Sequence, residues 1–520
     1  MHKENEMTPD KIWSFLIKKI KPAHRYAFLS AMLIGLLSHL FAMTNNLLTV
    51  DSMWNLYSDQ DMITSGRQFL TYACSIGSYY DLPMINGILA IFWLSITAAL
   101  LTECFNIEGK VLPVITGGIV VTFPAVASTF AYSYTVDGYM LAILFAVLAY
   151  LLADRFKFGF IASVFLLGLS LGIYQAELSY TILLCIFGLL LYILEGSKPG
   201  ELLSKIWRYI VMGIGGYAFY VISLKIMLAV KNTAVSGYQG TDKVLGFDIA
   251  QLPAGFKAAW DNFYYFVRYG GIFSTTKAMK VSYLIFMAVG IVSFIYLFIK
   301  KKAYASIFNI VLTIFLAAVT PFAACIISVL SPDTYFHMLM RMPWVAVMVF
   351  GVSMISHFNK EVPIKAETCL SVVSVLSACI MILQFAVASN IAYFNLNEKY
   401  EKTYAMCVRL ADRIEQTEGY EPGMPIAILG GFPDENIYPH TDITKDDLSG
   451  YFGVDGELVC NSSGSYQTFM ERYLNFTFPV LTLEEELKIA EKPEFAEMEN
   501  FPAAAAFRII DGVLVIRLNG

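Results

Sequence analysis

The sequence predicts an all-α polytopic membrane bundle of about eleven transmembrane helices, followed by a small C-terminal α/β or α+β extracytoplasmic domain. Three observations carry this expectation. The 520 residues are 57% hydrophobic and only 15% charged, with a mean hydropathy of +0.59; soluble globular chains are roughly 45–50% apolar and about 25% charged. The apolar excess is gathered into runs of roughly 17–25 residues, each able to cross a hydrocarbon layer of about 30 Å. Beyond residue 393 the composition changes to that of an acidic, ordinary globular segment. The net charge of −6 gives nucleic acid nothing to bind.

In chain order the runs are 26–48, 83–103, 111–131, 136–153, 158–174, 177–195, 209–230, 281–299, 304–330, 343–358 and 367–393. Helix is the form expected of each, because a segment in lipid must satisfy its own backbone hydrogen bonds. The first run lacks a small-x-small cleavage site and is too long for a signal-peptide core, so it reads as a signal anchor. Cations then alternate from side to side. Segment 1–25 holds six; Lys110, the pair Arg155 and Lys157, then Lys198, Lys205 and Arg208, then Lys300 to Lys302, then Lys360 and Lys365 follow on the same side. The opposite connections are poor in Lys and Arg except for 231–280, and long loops weigh less in this rule. The division expected is a cytoplasmic N-terminal segment 1–25, a transmembrane domain 26–393 and an extracytoplasmic soluble domain 394–520.

Within that last domain, Tyr400, Tyr404, Cys407, Leu410 and Ile414 make one helical stripe over 396–418. Residues 425–431 read as a buried strand ending in a glycine turn, and Phe507 to Leu518 as a hairpin around Asp511-Gly512. The eight cysteines show no metal-site spacing. Cys407 and Cys460 share the soluble region, either as a pair in an oxidising compartment or as two free buried thiols.

Polar groups at or near membrane depth are the candidates for function. Asp51 follows the first run directly, where a carboxylate can take a proton from a hydroxyl nucleophile; it can equally be a solvated helix-end residue. Arg67 is the only cation of the first opposite loop, and a guanidinium suits phosphate. Asp137 opens the fourth run after the aromatic turn Tyr132-Ser133-Tyr134, as a sugar, metal or acid–base group or as a helix N-cap. Glu177 stands beside Tyr174 and Gln175 between the fifth and sixth runs. Phe256, Trp260, Phe263, Tyr264 and Val267 mark an amphipathic helix, either interfacial or packed on the bundle. Arg341 leads into the tenth run as a second phosphate ligand or a snorkelling anchor. Lys225 is the one charge well inside a run.

Taken in order, Asp51, Gly66-Arg67, Asp137-Gly138-Tyr139 and Leu171-Gly172-Ile173-Tyr174-Gln175 resemble the GtrII family of bacterial membrane glucosyltransferases, the O-antigen-modifying type, over about 25–393. The resemblance implies a GT-C-like architecture in the bacterial cytoplasmic membrane, with a polyprenyl-phosphate-linked sugar, typically glucose, as donor. It implies a cell-surface glycan as acceptor, inversion at the anomeric carbon, and a sugar-lipid synthase and flippase acting upstream. Asp51 matches the catalytic base position; it is single where other GT-C members have paired acids, so base and binding group both stay open. Arg67 and Arg341 then fall to the donor phosphate, and Asp137, Tyr174, Gln175 and Glu177 to sugar or acceptor. A divalent metal is compatible with this chemistry without being required. Two other classes fit the span count: a transporter or flippase of lipid-linked glycan, disfavoured by the lack of internal repeats, and a glycan polymerase or ligase.

Overall fold

The computed structural model describes residues 8–56, 58–237, 249–268, 276–361, 364–431 and 458–518. The expected 231–280 segment therefore lies partly outside the described residues. The chain forms two compact units, Met1–Leu40 with Asp59–Ser389, and Phe41–Ser58 with Asn390–Gly520.

The helices of the first part of the chain are α1 (Pro9–Lys19), α2 (Pro22–Thr44), α3 (Val50–Asn55), α4 (Leu70–Cys74), α5 (Pro83–Cys104), α6 (Val111–Thr122), α7 (Pro124–Phe130), α8 (Val136–Arg155), α9 (Gly159–Ile173), α10 (Glu177–Leu194) and α11 (Pro199–Lys231). They are followed by α12 (Leu252–Arg268), α13 (Lys277–Lys300), α14 (Ile307–Ala324), α15 (Ile326–Leu330), α16 (Trp344–Asn359) and the 52-residue α17 (Ile364–Glu415). Among the described residues, nine helices are long and apolar enough to cross a membrane, and α6 with α7 makes a tenth, bent by 41°. The bend falls at Phe123-Pro124, where proline removes a backbone donor and crowds the preceding turn. The 15-residue α9 is a further, shorter apolar helix. All eleven apolar runs thus correspond to helical elements, and the chain is a multi-pass membrane protein.

Burial sorts these helices. In α8 and α10, 78% of the apolar window is buried, whereas in α11 and α14 it is 22%. The peripheral helices turn apolar stripes outward, as at Leu29, Leu33 and Leu37, which are 62%, 62% and 66% exposed. That inversion of the soluble pattern is what a lipid solvent favours. In α12 the expected stripe is exposed at Phe256, Trp260 and Tyr264, while Gly255, Ala259 and Phe266 face the protein.

The second unit has its own core and a three-stranded mixed sheet. Strands β1 (Ile426–Leu429), β2 (Phe507–Ile510) and β3 (Val513–Arg517) lie in the order β1-β3-β2. β1 runs parallel to β3 with Ile426 opposite Leu514, and β2 pairs antiparallel with Phe507 opposite Ile516. The hairpin turns at Asp511-Gly512, both at positive φ. The core joins Leu410 and Ile414 of α17, Ile426 and Ile428, and Phe469 and Met470 of α18 (Ser463–Leu474) with Leu48 and Met53 of the first-loop segment. Cys407 and Cys460 are free thiols buried in the same core.

Candidate functional site

Three of the motif fragments, Gly66-Arg67, Asp137-Gly138-Tyr139 and Leu171–Gln175, scattered over more than a hundred residues, meet in the first unit, and Asp51 is not among them. The turn Ile63–Ser65 passes through Gly66 to Arg67. Gln175 Nε2 lies 2.9 Å from the carbonyl oxygens of both Ser65 and Gly66 and 3.2 Å from the Tyr220 hydroxyl. The Phe69 N–H donates to the Gly172 carbonyl at 2.8 Å, and Gln68 Nε2 donates to Tyr220 O and Ser223 Oγ at 3.1 and 3.0 Å. Gly172 permits this closeness, since a Cβ there would stand 2.3 Å from the Phe69 ring. The Gly66-Arg67 turn and the Gly172–Gln175 segment therefore lock each other in place.

On this frame Tyr139 of α8 stacks on Tyr174, with centroids 4.3 Å apart and planes 15° apart. The Arg67 guanidinium lies over both rings, 5.8 Å from Tyr139 and 5.4 Å from Tyr174. Its Nη1 donates to Met62 Sδ at 3.5 Å, and the planar fork of a guanidinium suits a phosphate.

Two carboxylates stand close to the tyrosine pair in the chain, Asp137 two residues before Tyr139 and Glu177 three after Tyr174. Asp137 begins the first turn of α8 and Glu177 the first turn of α10; each is 2% exposed. Asp137 Oδ1 accepts from the Gly138 N–H at 2.9 Å, but Oδ2 has no hydrogen-bond partner, and neither has Glu177 Oε2. The large majority of buried side-chain polar atoms find a partner in folded proteins, so each of these oxygens calls for a donor. Ligand hydroxyls are donors of the required kind.

The other expected site residues lie on different elements. Arg341, at the end of the short helical turn Met338–Arg341, donates to the Asn262 carbonyl at 3.2 Å. Its guanidinium stands 4.5 Å from the Phe266 ring and 4.9 Å from Phe336, in a small cavity also lined by Phe263, Cys325 and Trp344. Asp51 lies in the second unit, exposed in the first turn of α3. That helix is started by a capping box between Thr49 and Ser52, is anchored by buried Met53, and receives a 2.9 Å bond from Arg472 Nη1 to Met53 O. Lys225 is exposed on α11. Among the described residues no three His, Cys, Asp or Glu side chains group to hold a metal ion.

Sequence reasoning passed over Gln68, Tyr220 and Asn86. Asn86 carried a usable signal, an amide near the start of an otherwise apolar helix. Gln68 and Tyr220 carried none, because their role is to hold backbone brought close only by folding.

A multi-pass helical membrane protein with a polar, incompletely satisfied site inside its bundle is the class that fold and site define. The family model described as Glucosyl transferase GtrII matches residues 40–355, well over half the chain, and the protein belongs to that family. Glucosyl transfer is the activity that goes with it. Comparison with curated proteins and with solved structures returns no match.

Proposed function

We propose that this protein moves a glucosyl group from a polyprenyl-phosphate carrier to a cell-surface glycan at the outer face of the bacterial cytoplasmic membrane. In this reading the N-terminus is cytoplasmic and the C-terminal domain extracytoplasmic, following the alternation of Lys and Arg. The observation that carries the proposal is Arg67 seated on the stacked Tyr139–Tyr174 pair, in the same unit as two buried carboxylates, Asp137 and Glu177, that each keep an acceptor oxygen without a partner.

The donor couples a phosphate to a sugar. Arg67 takes the phosphate in this scheme, with Arg341 as a second phosphate ligand. Asp137 and Glu177 accept hydrogen bonds from sugar or acceptor hydroxyls, and Tyr174 and Gln175 hold the surrounding frame. Asp51 acts as base: it takes the proton of the acceptor hydroxyl as that oxygen bonds to the anomeric carbon. The bond from that carbon to the phosphate oxygen breaks with inversion, and polyprenyl phosphate leaves with the electron pair. Arginine alone can stabilise the departing phosphate, so no step is assigned to a metal.

The test uses full-length protein in vesicles with radiolabelled glucosyl-phosphoryl-polyprenol and extracted surface glycan. Label should pass to the glycan, and Asp51→Asn should slow that passage by about a hundredfold or more. Transfer by Asp51→Asn at the wild-type rate would remove Asp51 from the chemistry. Wild-type protein that moves the lipid across the bilayer while leaving label on the carrier would replace the enzyme with a transporter.

A further inference from the structure

Asp137 has a companion. Asn86 of α5 is also 2% exposed. Its Nδ2 donates to the carbonyls of Tyr80 at 3.0 Å and Ser133 at 3.1 Å. Both amide protons are thus used, which fixes the amide's orientation and turns Oδ1 the other way. There Oδ1 has no hydrogen-bond partner, like Asp137 Oδ2. The two oxygens converge: a Cβ built on Gly77 would lie 2.7 Å from Asp137 Oδ2 and 2.8 Å from Asn86 Oδ1. Two buried acceptors aimed at one place, with no donor between them, are costly to leave dry.

What covers them is unusual. Gly77 is the one buried residue of the stretch Ser75 to Tyr80. The next two residues, Ser78 and Tyr79, sit at φ of 99° and 69°, a region that side-chain-bearing residues occupy only under strain. An exposed, strained loop therefore presses a residue with no side chain onto a bare acceptor pair.

We infer that Asp137 and Asn86 form a subsite for two hydroxyls of the donor sugar, and that the 75–79 loop, with Gly77 as its stopper, lifts to admit them while Tyr80 stays to hold the Asn86 amide. The inference rests on the glucosyl-transfer reading above and extends it to named atoms. A pair that only accepts selects a ligand that donates twice over a short span, which neighbouring hydroxyls of a pyranose do. Two oxygens fall well short of the six to eight that magnesium or calcium gathers. Relief of the backbone strain at Ser78 and Tyr79 offsets part of the cost of opening.

The experiment compares steady-state kinetics of full-length wild type and Asn86→Ala with glucosyl-phosphoryl-polyprenol and with its monodeoxyglucosyl analogues. Losing one hydroxyl contact should raise the donor KM about three- to tenfold with little change in kcat. Asn86→Ala should also lose discrimination against the analogue that lacks the recognised hydroxyl. Unchanged KM and discrimination overturn the subsite while leaving glucosyl transfer intact; wild type that transfers no glucose overturns the glucosyl-transfer reading itself.

Because Asn86→Ala also strips donors from two carbonyls, a second variant tests the loop alone. Cys74, 2% exposed, accepts through its carbonyl from the N–H groups of Gly77 and Tyr79 at 3.0 and 3.1 Å. Gly77→Ala cannot reseat against the acceptor pair. Maleimide labelling of Cys74, followed by peptide mass analysis, should then be faster by about tenfold. Equal protection of Cys74 in both proteins overturns the stopper.

Discussion

Helix α8 carries a buried carboxylate at each end, and the two are treated in opposite ways. At its C-terminal end Asp154, with a side chain 3% exposed, is saturated. Lys205 Nζ reaches it at 3.0 Å, the hydroxyls of Tyr192 and Tyr209 at 2.9 and 2.7 Å, and Arg155 Nε at 3.4 Å. At the N-terminal end Asp137 keeps one oxygen without any donor. The same side chain, on the same helix, at similar burial, is a structural fastening in one place and an unfilled acceptor in the other. Burial of a charge therefore does not identify function; the state of its hydrogen-bond shell does.

That contrast can be broken most forcefully at the saturated end. Asp154→Ala should destabilise the protein by about 3–5 kcal/mol, because it removes the carboxylate that pairs with Lys205 and accepts from two tyrosine hydroxyls, leaving Lys205 only the residue-154 carbonyl and the Tyr192 hydroxyl. Thermal unfolding of detergent-solubilised protein measures this, and the fraction that stays folded should keep the wild-type donor KM. A loss of donor affinity with unchanged stability would erase the distinction between the two ends. Asp137→Asn should do the reverse. Stability should stay within about 1 kcal/mol of wild type, since no existing side-chain partner is lost, while glucosyl transfer falls by about a hundredfold.

A finer test addresses the stacked tyrosine pair under Arg67. Arg67→Lys keeps the charge but loses the flat guanidinium that lies over Tyr139 and Tyr174, so kcat/KM should fall about tenfold while the protein remains folded. Full activity in Arg67→Lys would mean that charge alone matters there.

Much of the fold was legible. A run of apolar residues long enough to cross lipid has few alternatives to a helix, and even the short Gly159–Ile173 and the broken pair at Phe123-Pro124 stand where hydropathy places them. Apolar residues in both arms and the Asp511-Gly512 turn likewise set the C-terminal hairpin locally. The site was legible only as fragments. Arg67, Asp137 and Glu177 were visible as charges beside apolar runs, but Asn86 is a single amide within one. Its meaning comes from Tyr80, Ser133 and Asp137, which folding brings to it. Sequence order groups the Asp51 segment with the bundle, whereas the packing of Leu48 and Met53 places it in the unit formed with Asn390–Gly520.

By itself, then, the sequence determined the solvent of each segment and the helices that follow from it, because hydrophobic run length and backbone hydrogen-bonding are local properties. Only the tertiary structure decided which polar groups are answered. Whether a buried oxygen finds a donor depends on residues tens to more than a hundred positions away, as Lys205 is from Asp154 and Gln175 from Gly66. No local pattern encodes that meeting.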